Sequence, residues 1–198
     1  EDIGLDDRRA QSLQNTQRVQ NFKGLILKAT DACNFGCSYC IDSACGLQGT
    51  TGNMKPEVAH AAIDHFLQFC RRHQKYKSGP VTIGFNGGEP LINLRLIKSC
   101  IAFVEATHPD ALVEYDINTN AALITAEVAS YLKHHNFSIT TSLDGAMPVN
   151  DEQRTAKACN TSAFVATVAG LQHLSNINYS SRVTILVVVT DKNIDRID

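Results

Sequence analysis

Nowhere in these 198 residues is there a run of eighteen or more apolar side chains, so the sequence offers no segment built to cross a membrane as a helix. The first residues, 1–7, are acidic and lack an apolar core, which excludes a secretory signal peptide there. A basic excess is missing as well. With 18 Lys and Arg against 20 Asp and Glu the formal net charge is −2, which leaves no electrostatic footprint for nucleic acid. No G-x-G-x-x-G follows the first strand and no Walker motif occurs, which removes the signatures of the usual nucleotide-binding folds. Nor is there a second C-x2-C pair of the kind that closes structural zinc sites. What remains is an ordinary globular composition, 43% hydrophobic and 19% charged, for one or at most two domains. A cytoplasmic location, where thiols stay reduced, is expected.

The chain alternates regularly between two apolar periods. Residues 1–22 are polar and read as a tail or a short outlying helix, and residues 23–198 as one core domain. Strands are predicted at 24–28, 81–85, 113–118, 137–143 and 183–189, the last nearly all β-branched and expected to be buried on both faces. Helices are predicted at 56–76, 93–107, 125–135 and 161–177. In the first, Val58, Ala62, Phe66 and Phe69 recur at helical spacing behind Pro56, and Thr125 makes a plausible helix start. Strands separated by helices give βαβ units and a parallel α/β sheet, either open and doubly wound or a barrel. In parallel barrels the chemistry gathers at the C-terminal ends of the strands. Every polar cluster that reads as functional falls there.

Seven cysteines is an odd number, and a chain of this length buries a core without staples, which argues against a disulfide framework. Cys70 and Cys100 fall on apolar helical faces and read as inert buried thiols, while Cys159, in a polar loop, gets no role. Cys33, Cys37 and Cys40, directly after the first strand, are a different matter. Clusters of the 4Fe-4S type are held by cysteine thiolates, normally one per iron, so a compact trio leaves one iron open to a substrate or cofactor. The competing reading is a closed zinc knuckle with Cys45 as fourth ligand.

Three more polar segments lie at strand ends. They are Asn86-Gly87-Gly88-Glu89-Pro90, Asn118-Thr119-Asn120-Ala121 and Ser142-Leu143-Asp144-Gly145, followed by Asn150-Asp151-Glu152-Gln153-Arg154. Each alone reads as turn chemistry, since Gly, Asn, Ser and Asp are common turn formers, and Glu89 suits the start of a helix. Paired glycines also let a backbone approach a ligand and expose its carbonyls to an ammonium group. A guanidinium such as that of Arg154 is the group best built to clamp a carboxylate, and Asp151 reads as ordering its own loop.

Taken in order, the C-x3-C-x-aromatic-C trio and these four segments resemble the radical S-adenosylmethionine (SAM) superfamily, and within it the peptide and protein maturases that include anaerobic sulfatase-maturating enzymes. The resemblance runs from about Gly24 to Asn193, with Asn118 and Ala121 in place of a glutamine and a glycine, and Asn150 in place of a histidine. It implies a partial (β/α)6 barrel, here truncated after the fifth strand. It implies a 4Fe-4S cluster on Cys33, Cys37 and Cys40, with SAM as second cofactor. Gly87, Gly88 and Glu89 would hold the methionine amino group, and Asn118, Asn120, Ser142 and Asp144 the ribose and carboxylate. Arg154 would clamp the carboxylate, and Tyr39 would lie against the adenine or simply pack. The implied activity is reductive cleavage of SAM to a 5'-deoxyadenosyl radical that takes hydrogen from a peptide or protein. Flavodoxin or ferredoxin is the implied electron donor. A small-molecule substrate is the near alternative, and a non-catalytic zinc-stabilised module the distant one. No catalytic acid or base is assigned, and none of the seven histidines is given a role. The chain opens without a methionine and stops just after a strand, so a longer native protein is expected, with a sixth strand and a cysteine-rich SPASM-type domain absent here.

Overall fold

The computed structural model describes residues 22–44, 52–73, 79–157 and 161–196. Five strands form one parallel sheet: β1 (Gly24–Lys28), β3 (Val81–Asn86), β4 (Val113–Thr119), β5 (Ser138–Ser142) and β7 (Val183–Leu186). Their spatial order is β1-β3-β4-β5-β7, every pair parallel. Spatial order that follows chain order, with each crossover right-handed, keeps all helices on one side of the sheet. A doubly wound sheet reverses direction and carries helices on both faces. The fold is therefore the partial α/β barrel, and the open alternative falls away.

Strand alternation sorts residues to the two faces. Leu27, Ile83, Phe85, Ile117 and Ile139 are buried under the helices, whereas Lys28, Gly84, Asn86, Asp116, Asn118, Thr140 and Ser142 share the opposite, polar face. The covering helices are α2 (Pro56–Arg72), α3 (Leu94–Thr107), α4 (Ala126–His134) and α6 (Ala163–Asn176). Helix α2 starts on Pro56 where a missing N–H is harmless, and ends on Arg71 and Arg72, which favour the negative helix terminus. Its buried stripe is Ala59, Ile63, Phe66, Leu67 and Cys70. The expected stripe lay about one residue off: Val58 is exposed, and Phe69 only half-buried. Apolar residues on both flanks of the buried stripe, Val58 and Phe69 among them, blur its phase. Each Leu or Ile so buried contributes about 1.5–3 kcal/mol. Thr125 caps α4 by accepting from the Val128 N–H at 3.2 Å, and Ser162 caps α6 through Val165.

Four short elements had no counterpart in the sequence reading. Short strands β2 (Phe35–Cys37) and β6 (Arg154–Ala156) pair antiparallel, and short helices α1 (Ile41–Ala44) and α5 (Met147–Gln153) precede and follow the ends of the barrel face. One expectation is corrected. β7 ends at Leu186 and is not buried on both faces: Ile185 and Leu186 are 45% and 46% exposed. Among the described residues it is the edge of the sheet, paired only with β5, with no element on its outer side. The polar segment 1–21, the end of the predicted first helix beyond His73, Cys45 and Cys159 lie outside the described residues. Among the described residues no helix is long and apolar enough to cross a membrane.

Candidate active site

The cysteine loop leaves β1 and is sewn to the next strand by backbone bonds. Ala29 N–H donates to the Asn86 carbonyl at 2.7 Å, Gly88 N–H to Thr30 at 2.9 Å and Glu89 N–H to Ala32 at 2.8 Å. The glycine pair is what permits this approach. A Cβ on Gly87 would lie 2.5 Å from the Thr30 oxygen, and one on Gly88 2.4 Å from the Ala32 oxygen. Both contacts are with backbone, so neither would yield cheaply. The Lys28 ammonium bridges Asp31 at 2.8 Å and Asp42 at 3.3 Å, one residue on each side of the trio. That bracket was not read from the sequence, although a lysine at the strand end three residues before an aspartate was its signal.

Cys33, Cys37 and Cys40 line one cavity of about 380 Å³. So do Gly87, Gly88, Asn118, Asn120 and Ser142 from the ends of β3, β4 and β5. Tyr39 and Arg154 also lie on its wall with Asn86 of the glycine segment, joined by Leu186 and Val188, which sequence reasoning missed. Burial pushes the Cys33 and Cys37 thiols up; the Phe35 N–H and then Lys157 pull Cys33, and Arg154 pulls Cys37, back toward the thiolate that binds metal. Among the described residues no three side chains converge tightly enough for a single metal ion. A cluster attaches each thiolate to a different iron, so three partly exposed cysteines spread around one wall fit it.

Two expected residues turn away from the cavity. Glu89 is fully buried, with Oε1 accepting from Leu91 N–H at 3.0 Å and the Thr119 hydroxyl at 2.7 Å, and Oε2 from Asn120 N–H at 2.7 Å. Burial raises its pKa, while those three donors lower it. Its carboxylate thus anchors the loop that carries Asn120. The Asn120 amide in turn donates to Asn34 at 2.7 Å, beside Cys33. Asp144 is enclosed as well: its carboxylate accepts from Arg154 Nε at 2.7 Å, from Val188 N–H at 2.9 Å and from the Tyr39 hydroxyl. Arg154 reaches the cavity because β6 pairs with β2, setting it opposite Cys37, with Nη1 3.9 Å from that sulfur. Asp151 accepts from Phe164 N–H at 2.8 Å, the loop-ordering role expected of it.

Residues 27–198 match the radical SAM superfamily. The chain belongs to that superfamily. Relatives of this radical SAM chain include an uncharacterized protein of Methanocaldococcus jannaschii, 31% identical over 89% of this chain and 56% of the relative. The cysteine-type anaerobic sulfatase-maturating enzyme of Clostridium novyi is 28% identical over 90% of this chain and 47% of the relative. Among solved structures, anSMEcpe with bound AdoMet, that is SAM, aligns with a TM-score of 0.72 at 22% identity, covering 88% of this chain and 46% of that one. The radical SAM chain described here spans about half the length of these curated relatives. One departure from the motif pattern has a structural signature: Ala121, where the resembled segment has glycine, sits at φ +62°, the left-handed region that glycine occupies without strain.

Proposed function

We propose that this chain is the catalytic core of an enzyme that cleaves SAM reductively at a 4Fe-4S cluster and uses the resulting radical on a peptide or protein. The observation that carries this reading is the shared cavity: three cysteines, a glycine pair and Arg154 face one space at the C-terminal strand ends. Cys33, Cys37 and Cys40 would hold the cluster. Gly87 and Gly88 offer backbone to the ammonium end of SAM, Arg154 its guanidinium to the carboxylate, and Asn118 and Ser142 polar groups to carboxylate and ribose. The Tyr39 ring is the surface for adenine. Glu89 and Asp144, enclosed by protein donors, support this set from behind. Bound there, cluster and SAM together would supply the hard chemistry, reductive cleavage of the sulfonium and abstraction of hydrogen from substrate. A cytoplasmic donor such as flavodoxin or ferredoxin would deliver the electron. The peptide or protein substrate is supported by the sulfatase-maturating relatives and by the alignment with anSMEcpe holding AdoMet and the Cp18Cys peptide, TM-score 0.69.

The test is anaerobic reconstitution with iron and sulfide, then SAM and a strong reductant. Methionine and 5'-deoxyadenosine are the expected products. Bound zinc without acid-labile sulfide, and intact SAM, would overturn the reading.

A further inference from the structure

Asp144 belongs to a segment at the edge of the site, yet its carboxylate has no path to the cavity. It is 0% exposed, and both oxygens are taken by protein. Oδ2 accepts from Arg154 Nε at 2.7 Å and from the Tyr39 hydroxyl; Oδ1 accepts from Val188 N–H at 2.9 Å and lies 3.4 Å from Arg154 Nη2. A guanidinium is a rigid plane with two usable edges. Here the Nε–Nη2 edge is held by Asp144, which fixes the direction of Nη1. That nitrogen stands 3.9 Å from Cys37 Sγ, on the cavity wall, and the guanidinium carbon lies 5.3 Å from the centre of the Tyr39 ring.

One carboxylate therefore ties three parts of the wall together: the cysteine loop through Tyr39, the β2–β6 ribbon through Arg154, and the segment after β7 through Val188. Asn193, also fully buried, reinforces the last tie by donating to the Val188 carbonyl at 2.9 Å and to the Asp144 carbonyl at 3.3 Å. Without Asp144, Arg154 would have to be ordered by its ligand, and ordering a long side chain on binding weakens affinity.

We propose that Asp144 is a positioning residue that never touches SAM: it presets the free edge of Arg154 toward the SAM carboxylate. This rests on the reading of the cavity as the SAM site. The alternative, direct contact of Asp144 with SAM, would require its oxygens to abandon four donors.

The experiment is a double-mutant cycle. Wild type, Asp144→Asn, Arg154→Ala and the double variant are reconstituted anaerobically, their iron and sulfide are measured, and SAM is titrated against the electron paramagnetic resonance spectrum of the reduced cluster. Full iron is expected in all four, with SAM bound about tenfold more weakly in each single variant. The double variant should bind no more weakly than Arg154→Ala, because Asp144 acts through that arginine. Losses that multiply to about a hundredfold, or wild-type affinity in Asp144→Asn, overturn the proposal. If Asp144→Asn fails to fold, Arg154→Lys decides: it keeps the charge but lacks the second edge, and should bind SAM as weakly as Arg154→Ala, whereas wild-type affinity overturns the role. Wild-type protein that carries iron but binds no SAM sinks the SAM site itself, an outcome separate from any of these.

Discussion

A cysteine that binds a cluster and one that fills a core have the same side chain, and spacing alone separates them. Cys33→Ala, Cys37→Ala and Cys40→Ala should each lose the brown chromophore and most of the roughly four irons per chain, while Cys45→Ala keeps them. Iron and sulfide analysis decides, and equal loss in Cys45→Ala would sink the open-iron arrangement. Glu89 is a second case in which position was legible and direction was not. Loop residues at strand ends can be assigned to a site from sequence, but whether a carboxylate faces ligand or neighbouring backbone depends on donors thirty residues away, here Thr119 and Asn120. Glu89→Ala should therefore act on stability first. It leaves three buried donors without an acceptor, a loss of about 1–3 kcal/mol each before relaxation. A lowered urea midpoint, with SAM binding weakened through displaced Asn120, is expected; unchanged stability would contradict the anchor. His135 gives a pH signature. Burial lowers its pKa from 6.5, against the Glu105 carboxylate 3.4 Å away that raises it. The unfolded chain then takes up a proton at higher pH than the folded one, so this contribution is complete above about pH 6.5 and is lost as pH falls through the lower folded value. Urea midpoints should fall less steeply on acidification in His135→Gln than in wild type, and parallel curves would remove His135 as a cause.

The four long helices and the strands of the sheet were readable because each repeats a period over enough residues to stand above noise. The β2–β6 ribbon, three residues a side, was not. Its pairing joins residues more than a hundred positions apart, and no local pattern encodes that. Yet the ribbon is what sets Arg154 against Cys37, so the least legible element supplies a central contact. Helix α6 makes the complementary point about a single glycine in a long element. A Cβ at Gly170 would stand 2.0 Å from the Ala121 carbonyl oxygen and 2.9 Å from its carbon, atoms of a backbone already held at positive φ. Replacing Gly by Ala in a helix gains about 1 kcal/mol in propensity, whereas overpacking against fixed backbone costs about 1–3 kcal/mol or more. At this contact distance the clash wins. Gly170→Ala should lower the thermal midpoint and, by pushing the turn at Ala121, loosen Asn120 on the cavity wall. A more stable protein would mean that α6 slides freely over that turn.

Strand order equal to chain order puts all the helices on one face and leaves the other polar, which is why one set of loops can meet over a common cavity. The same topology has an unprotected end. Among the described residues β7 pairs on one side only, and Ile185, Leu186, Val187 and Val189 are between 37% and 57% exposed. Apolar β-branched residues along an unpaired edge recruit other chains. Leu186 and Val188 belong to the cavity wall, so they do not serve as a clean test. Ile185 does: it points to the other face, into a groove of about 400 Å³ with Val168, Leu171 and Val183, away from the cysteines. Burying that side chain between two molecules would be worth about 1.5–3 kcal/mol, enough to shift an association constant tenfold or more. A charge there opposes it. Protein of these 198 residues should therefore self-associate as concentration rises, and Ile185→Lys should shift the species seen by sedimentation velocity toward monomer while iron content stays full. If wild type and Ile185→Lys sediment alike at every concentration, the outer face of β7 is not what brings the chains together.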